Sequence, residues 1–166
     1  MGWEWRIFMP LINDEEHHFP TSFDVEKRDD IYYVESDKIG VKQRYGEGDY
    51  EVKVMKEWTY FGAENYKKDI VPYRMGQKYT SYVAIQVQKE RQKQVCYSNS
   101  GSFVFETSFV CAKNKWWKSL CWEGPPEIIF EAVQNYFELD GDWSKPSEKL
   151  PEDGIVCGYP KWLTII

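Results

Sequence analysis

Apolar and polar residues alternate with a period of two in a succession of short runs along this chain, which is the pattern of strands with one face buried. Trp3 to Met9 reads as a first strand, stopped by Pro10. A polar stretch from Asn13 to Asp30, holding His17, His18 and Pro20, reads as a solvent loop, because nothing nearby completes a zinc set. Short β runs follow in DIYYVES, KIGVKQRY and YEVKVMKEW, the last two separated by the turn residues 46–49 (Gly-Glu-Gly-Asp), a hairpin signal. Residues 60–79 carry Gly62, Pro72 and Gly76 and read as a long connection with a short helical turn. SYVAIQVQKERQ and KQVCYS read as two further strands. SFVFETSFVCA and KWWKSLCWEG follow, set off by turns at Asn99–Gly101 and at Lys113-Asn114.

Only one segment has helical spacing. Pro125 and Pro126 open it, and Ile128, Ile129, Ala132, Val133, Tyr136 and Phe137 form an apolar stripe over Glu127 to Leu139. The tail is rich in Pro, Gly and charge until YPKWLTII, which is expected to dock as a short strand or cap. No domain boundary or repeat is visible, so residues 1–166 read as a single domain. The fold class expected is α+β and mainly antiparallel β: an eight-stranded closed barrel with one or more flanking helices, since closure removes exposed edges.

Composition sharpens this picture. Eight Trp, twelve Tyr and nine Phe favour sheet and suit an outer packing layer beneath helices and loops. A net charge of −6 argues against general nucleic-acid binding, which needs a basic exterior. The four cysteines, at 96, 111, 121 and 157, have no zinc-like spacing and read as buried free thiols in a reducing compartment. Neither a signal peptide nor an apolar run of about 20 residues is evident. The expectation is a cytoplasmic protein without a membrane partner, monomeric or homodimeric.

The candidate chemistry lies in charges that recur at alternate strand positions. Lys42 with Arg44, Lys89 with Arg91, and Glu4 with Arg6 each share a face. Lys56 shares its face with Val52 and Val54, which sets Lys53 on the other. Alternating charges ordinarily mark a solvated sheet face. Lys89 and Arg91, however, continue the face of Ile85 and Val87, as an interior position with a polar centre would. Two like charges about 6 Å apart repel by about 3 kcal/mol at an effective dielectric of 20. A cluster of them therefore needs carboxylates, a metal or a polyanion. Glu4, Glu106 and Glu123 lie in strand candidates and could supply the acids. Cations for phosphates with acids for a hard divalent ion make a layout suited to phosphoryl transfer.

With these residues in place the chain resembles the CYTH superfamily, the triphosphate tunnel metalloenzymes. Gly2-Trp3-Glu4-Trp5-Arg6 resembles the family's Glu-x-Glu-x-Lys signature, with Glu4 at the second acid and Arg6 at the basic position. DIYYVESDKIGVKQRYGEGDYEVKVMKE resembles the block that contributes paired basic residues and a strand-ending lysine, here Lys42, Arg44 and Lys56. IQVQKERQ resembles the strand with a K-x-R pair, and FVFETSFV with WWKSLCWEG the closing acidic strands. The likeness runs from Trp3 to about Gly124. It departs at Gly2, where the first signature acid would stand, and at Cys121, where many members carry a second carboxylate.

The resemblance implies a metal-dependent hydrolase of a triphosphate or polyphosphate. Arg6, Lys42, Arg44, Lys56, Lys89 and Arg91 would hold phosphates; Glu4, Glu106 and Glu123 would hold Mg²⁺ or Mn²⁺; and Glu106 would orient the attacking water. A phosphate- or nucleotide-binding module with a degraded metal site is the alternative. A third reading, a lipocalin-like carrier of an apolar ligand, requires the charged strand residues to face outward.

Overall fold

The computed structural model describes residues 2–12, 18–20, 24–45, 47–138 and 150–166; His17, Gly46 and Leu139 lie outside them. Eight antiparallel strands close into a barrel: β1 (Gly2–Pro10), β2 (Glu26–Val34), β3 (Ile39–Arg44), β4 (Tyr50–Trp58), β5 (Glu64–Val71), β6 (Val83–Ser98), β7 (Gly101–Ala112) and β8 (Lys115–Glu123). Their order is β5-β4-β3-β2-β6-β7-β8-β1, and β1 returns to β5 through Gly2, Trp3 and Glu4. A short strand, β9 (Ile155–Val156), pairs with Ile7 and Phe8. It covers the part of that edge of β1 that β5 does not reach.

Three strands differ from the sequence expectation. The 60–79 connection contains β5, followed by two 3₁₀ turns, Tyr73–Met75 and Gln77–Ser81. Lys67, Lys68 and Asp69 hide its alternation, because the strand's second half is exposed. SYVAIQVQKERQ and KQVCYS form one 16-residue strand, β6, rather than two. The run Lys89–Lys93, polar throughout, looks like a break but pairs continuously with β7. β2 also begins at Glu26, inside the stretch read as loop, because Arg28 and Asp30 face the barrel interior where ionic partners replace apolar ones.

Helix α1 (Pro126–Phe137) covers the outside of β1, β7 and β8. It buries Ile129, Ala132 and Val133 against the outward-facing Trp5, Ile7, Leu120 and Trp122. The apolar stripe read from the sequence is that face. The ending YPKWLTII docks as the cap rather than the strand: it is helix α2 (Tyr159–Ile165), and it caps the barrel.

The inner face of the barrel is divided. Phe8, Ile85, Val87, Val110, Ala112 and Trp117 make an apolar layer at one end, and α2 sends Tyr159, Trp162 and Leu163 into it. Trp162 is fully buried and stacks on Phe8 with ring centres 4.3 Å apart. Gly40 permits this approach, since a Cβ there would come within 2.9 Å of Pro160 Cγ. That end of the barrel is sealed by burial. Among the described residues no helix is long and apolar enough to cross a membrane.

Candidate functional site

The other half of the inner face encloses a cavity of about 600 Å³. Nine of the chain's 21 Lys and Arg residues line it, against four of its 27 acidic residues. An acidic protein has thus gathered nearly half of its cations into one basin. Charged strand residues face inward, which is the opposite of what the apolar-carrier reading requires.

Four of the six basic residues singled out from the sequence line the cavity: Arg6, Lys42, Lys89 and Arg91. Arg44 and Lys56 do not; both are exposed. Arg44 closes β3 beside the turn, where Tyr45 adopts φ 55°, and lies beyond the basin. For Lys56 the face was inverted. Val52 packs outward with Val41 and Tyr50, so Glu51 and Lys53 point inward, and a bulge between Met55 and Glu57 takes Lys56 out of register. Lys53 occupies the position expected of Lys56. Arg28, Lys67, Lys68 and Lys93 also line the basin and were not anticipated. Lys93 was legible as the next alternate residue after Lys89 and Arg91. Lys68 and Arg28 were hidden in segments read as connections.

Arg6 and Glu106 form the centre. Arg6 Nη1 lies 3.1 Å from Glu106 Oε1 and donates to Ser119 Oγ at 2.8 Å, while Ser108 Oγ donates to the same Glu106 oxygen at 2.8 Å. Arg91 and Lys93 each approach the other Glu106 oxygen at 3.8 Å. Burial alone would push the Glu106 carboxyl up, but Arg6, Ser108, Lys89 and Lys93 hold it far below the usual carboxylate range. Glu106 is therefore an ionised counter-charge inside a ring of cations. Removing one partner of such a buried pair costs about 3–5 kcal/mol.

Lys89 is the deepest cation. Its ammonium donates to the Tyr32 hydroxyl at 2.8 Å, sits 3.6 Å from Asp30, and lies 4.0 Å from the centre of the Tyr159 ring. Arg6 approaches the same ring at 4.7 Å, so Tyr159 forms a floor beneath both cations. Burial and the nearby Lys42 push the Lys89 ammonium well below its ordinary range, with Asp30 opposing. Lys42 is lowered too, by burial, although Glu51 at 3.4 Å supports its charge. A bound anion would stabilise both ammonium groups.

The acids anticipated as metal ligands all line the cavity but do not form one group. Glu4 and Glu123 are cross-strand partners, and their carboxylates, with the Cys121 thiol, place ligand atoms within 4.8 Å of one another. Lys53 approaches Glu4 at 3.2 Å, and Lys93 approaches Glu123 at 3.7 Å. Like charges directly opposite on neighbouring strands are unfavourable by themselves, and a divalent ion shared by the pair would relieve that. Glu4 and Glu123 could hold a metal ion between them, whereas Glu106 is engaged by Arg6 and Ser108. At Gly2 a Cβ would meet nothing within 4 Å, so the space beside it is open.

Elsewhere, His18 pairs with Glu90 and meets the Trp116 ring edge-on, as a surface contact. All four cysteines are unpaired; Cys121 and Cys157 are buried, and Cys96 and Cys111 are half-buried. Neither a comparison with protein-family models nor a search of curated proteins finds a match for the chain.

Proposed function

We propose that this protein is a divalent-metal-dependent hydrolase of a triphosphate- or polyphosphate-bearing substrate, which enters the basin phosphate terminus first. The observation that carries this reading is the basin itself: nine cations around a cavity open at one end, in a chain of net charge −6. The order and spacing of residues that resemble the CYTH superfamily support it. Arg6 and Lys89 would receive the terminal phosphate, and Lys42 and Arg91 the next. Lys53, Lys68 and Lys93 flank the mouth. Fixed cations of this kind stabilise charge that develops on a transferred phosphoryl group.

Glu4 and Glu123 are the residues that would hold the metal, Mg²⁺ or Mn²⁺ by the resemblance. When bound, such an ion would supply positive charge against that developing on the transferred phosphoryl group. The Glu106 carboxylate also holds Arg6 in place. Held far below the usual carboxylate range, it would orient the attacking water by accepting a hydrogen bond rather than by taking its proton.

Gly2 specifically favours a second reading, a polyphosphate-binding module that has lost its chemistry. Phosphate release from tripolyphosphate in Mg²⁺, Mn²⁺ or Zn²⁺, in the wild type and in Glu4→Gln, separates the two. The hydrolase reading expects metal-dependent release that Glu4→Gln abolishes. No release with any ion, together with a thermal upshift on adding tripolyphosphate, establishes the binding module. No release and no upshift refutes both.

A further inference from the structure

Cys121 lies on the inner face of the barrel two residues before Glu123, with Arg6 opposite on β1 and Glu106 opposite on β7. A buried cysteine usually acts as a small apolar packing group. This one is fully buried, yet its strand partners are a guanidinium and a carboxylate. Among the described residues its thiol makes no hydrogen bond, although polar side chains surround it. Its sulfur, one oxygen of Glu4 and one of Glu123 lie within 4.8 Å of one another. In a tetrahedral zinc site, with ligands at about 2.0–2.3 Å, donor atoms stand roughly 3.5 Å apart. A closure of about an ångström would bring the three donors to that spacing. Gly2, Glu4 and Glu123 all line the cavity, and a Cβ on Gly2 would meet nothing within 4 Å, so there is room beside the group for a further ligand.

We propose that Cys121 makes this a thiolate–dicarboxylate metal site, selective for a sulfur-tolerant ion of the Zn²⁺ class over Mg²⁺. The inference rests on the metal-assisted reading above and revises the identity of the ion, not its place. Thiolate ligands favour zinc and its neighbours, whereas an all-oxygen set suits magnesium. On binding, a sulfur–metal bond forms as the S–H bond breaks, and the thiol proton passes to solvent. The two carboxylates and the thiolate supply three negative charges against the ion's two, and Lys53 and Lys93 beside the carboxylates carry the remainder.

The test is titration of the metal-free full-length protein with Co²⁺ in phosphate-free buffer, followed by absorption. The site expects a near-ultraviolet thiolate-to-cobalt charge-transfer band with the visible bands of a four-coordinate ion. Zn²⁺ should displace the cobalt and excess Mg²⁺ should not. Calorimetry in buffers of different ionisation enthalpy should record proton release on binding. Cys121→Ser should lose the band and the preference for Zn²⁺ over Mg²⁺, whereas Cys96→Ser/Cys111→Ser should keep both. Cobalt binding without the band, equal in wild type and Cys121→Ser, overturns this proposal and leaves an oxygen-only metal site standing. A band that vanishes with Cys96 and Cys111 instead also overturns it. No ion bound by calorimetry, with tripolyphosphate still bound, removes the metal from the function as well.

Discussion

The two ends of the barrel's inner face are built from the same strands by the same alternation, yet they carry opposite chemistry. Along β6 one face runs Ile85, Val87, Lys89, Arg91, Lys93; along β1 it runs Phe8, Arg6, Glu4, Gly2. The apolar half finds a partner in α2 and seals. The charged half cannot be sealed the same way, because burying unpaired charge costs far more than apolar burial returns. It stays open, and Glu4, Asp30, Glu51, Glu106 and Glu123 supply part of the counter-charge. Tyr32 and Tyr159, apolar in the ring and polar at the tip, stand at the boundary under Lys89. A pocket of this kind admits a ligand from one side only.

The seal can be broken first. Trp162→Ala empties the centre of the apolar layer and is expected to destabilise the protein by about 3–5 kcal/mol, read from the shift of the urea unfolding midpoint. A cost near that of an ordinary surface substitution would mean that α2 does not close the barrel.

A smaller effect tests the open half. A linear phosphate chain can place a terminus on Lys89, whereas a cyclic one has none. Since a charge-assisted hydrogen bond contributes about 1.5–3 kcal/mol, tripolyphosphate should bind at least about tenfold more tightly than trimetaphosphate. Lys89→Met should erase most of that preference. Equal affinities in the wild type would argue against terminus-first entry.

The smallest effect is one of pH. Glu26, at the outer edge of the charged half, accepts from Arg91 Nε at 2.9 Å and from Arg28 Nε at 2.7 Å. The Arg91 bond chiefly, then Arg28, lowers its carboxyl from 4.5 to about 2 against the opposing effect of partial burial. A carboxyl lowered in the folded state stabilises fully above its ordinary value, and that contribution fades as pH falls from 4.5 towards 2. Glu26 is about half exposed, so solvent screens the pair and the contribution is modest. Melting temperatures across that window should fall less in Glu26→Gln than in the wild type.

How much of this was legible in the sequence depended on whether a residue's neighbours revealed its face. Lys89 and Arg91 were readable as interior because Ile85 and Val87 precede them on the same face. The stripe of α1 and the outward Trp5 and Trp122 were readable for the same reason. Where both faces of a strand are polar, alternation has no contrast. β5 disappeared behind Lys67 and Lys68, and the start of β2 behind Glu26 and Arg28. The strand count still came to eight, because β6 was divided in two as β5 was missed. YPKWLTII could not be recognised as a helical plug, since seven residues hold too few turns for a period to show. The exchange of Lys53 for Lys56 came from the choice of face: Val52 packs outward, and local composition does not mark which side of β4 turns inward.

That exchange supplies the most direct test of the central claim, that inward-facing cations bind a polyphosphate in the basin. Lys53 and Lys56 lie three residues apart on one strand, with equal charge and different faces. Calorimetric titration of tripolyphosphate into Lys53→Met and Lys56→Met compares them under identical conditions. Lys53→Met is expected to weaken binding about tenfold or more, the value of one charge-assisted contact, while Lys56→Met leaves it unchanged. Equal losses in the two variants, or a loss confined to Lys56→Met, would contradict the account.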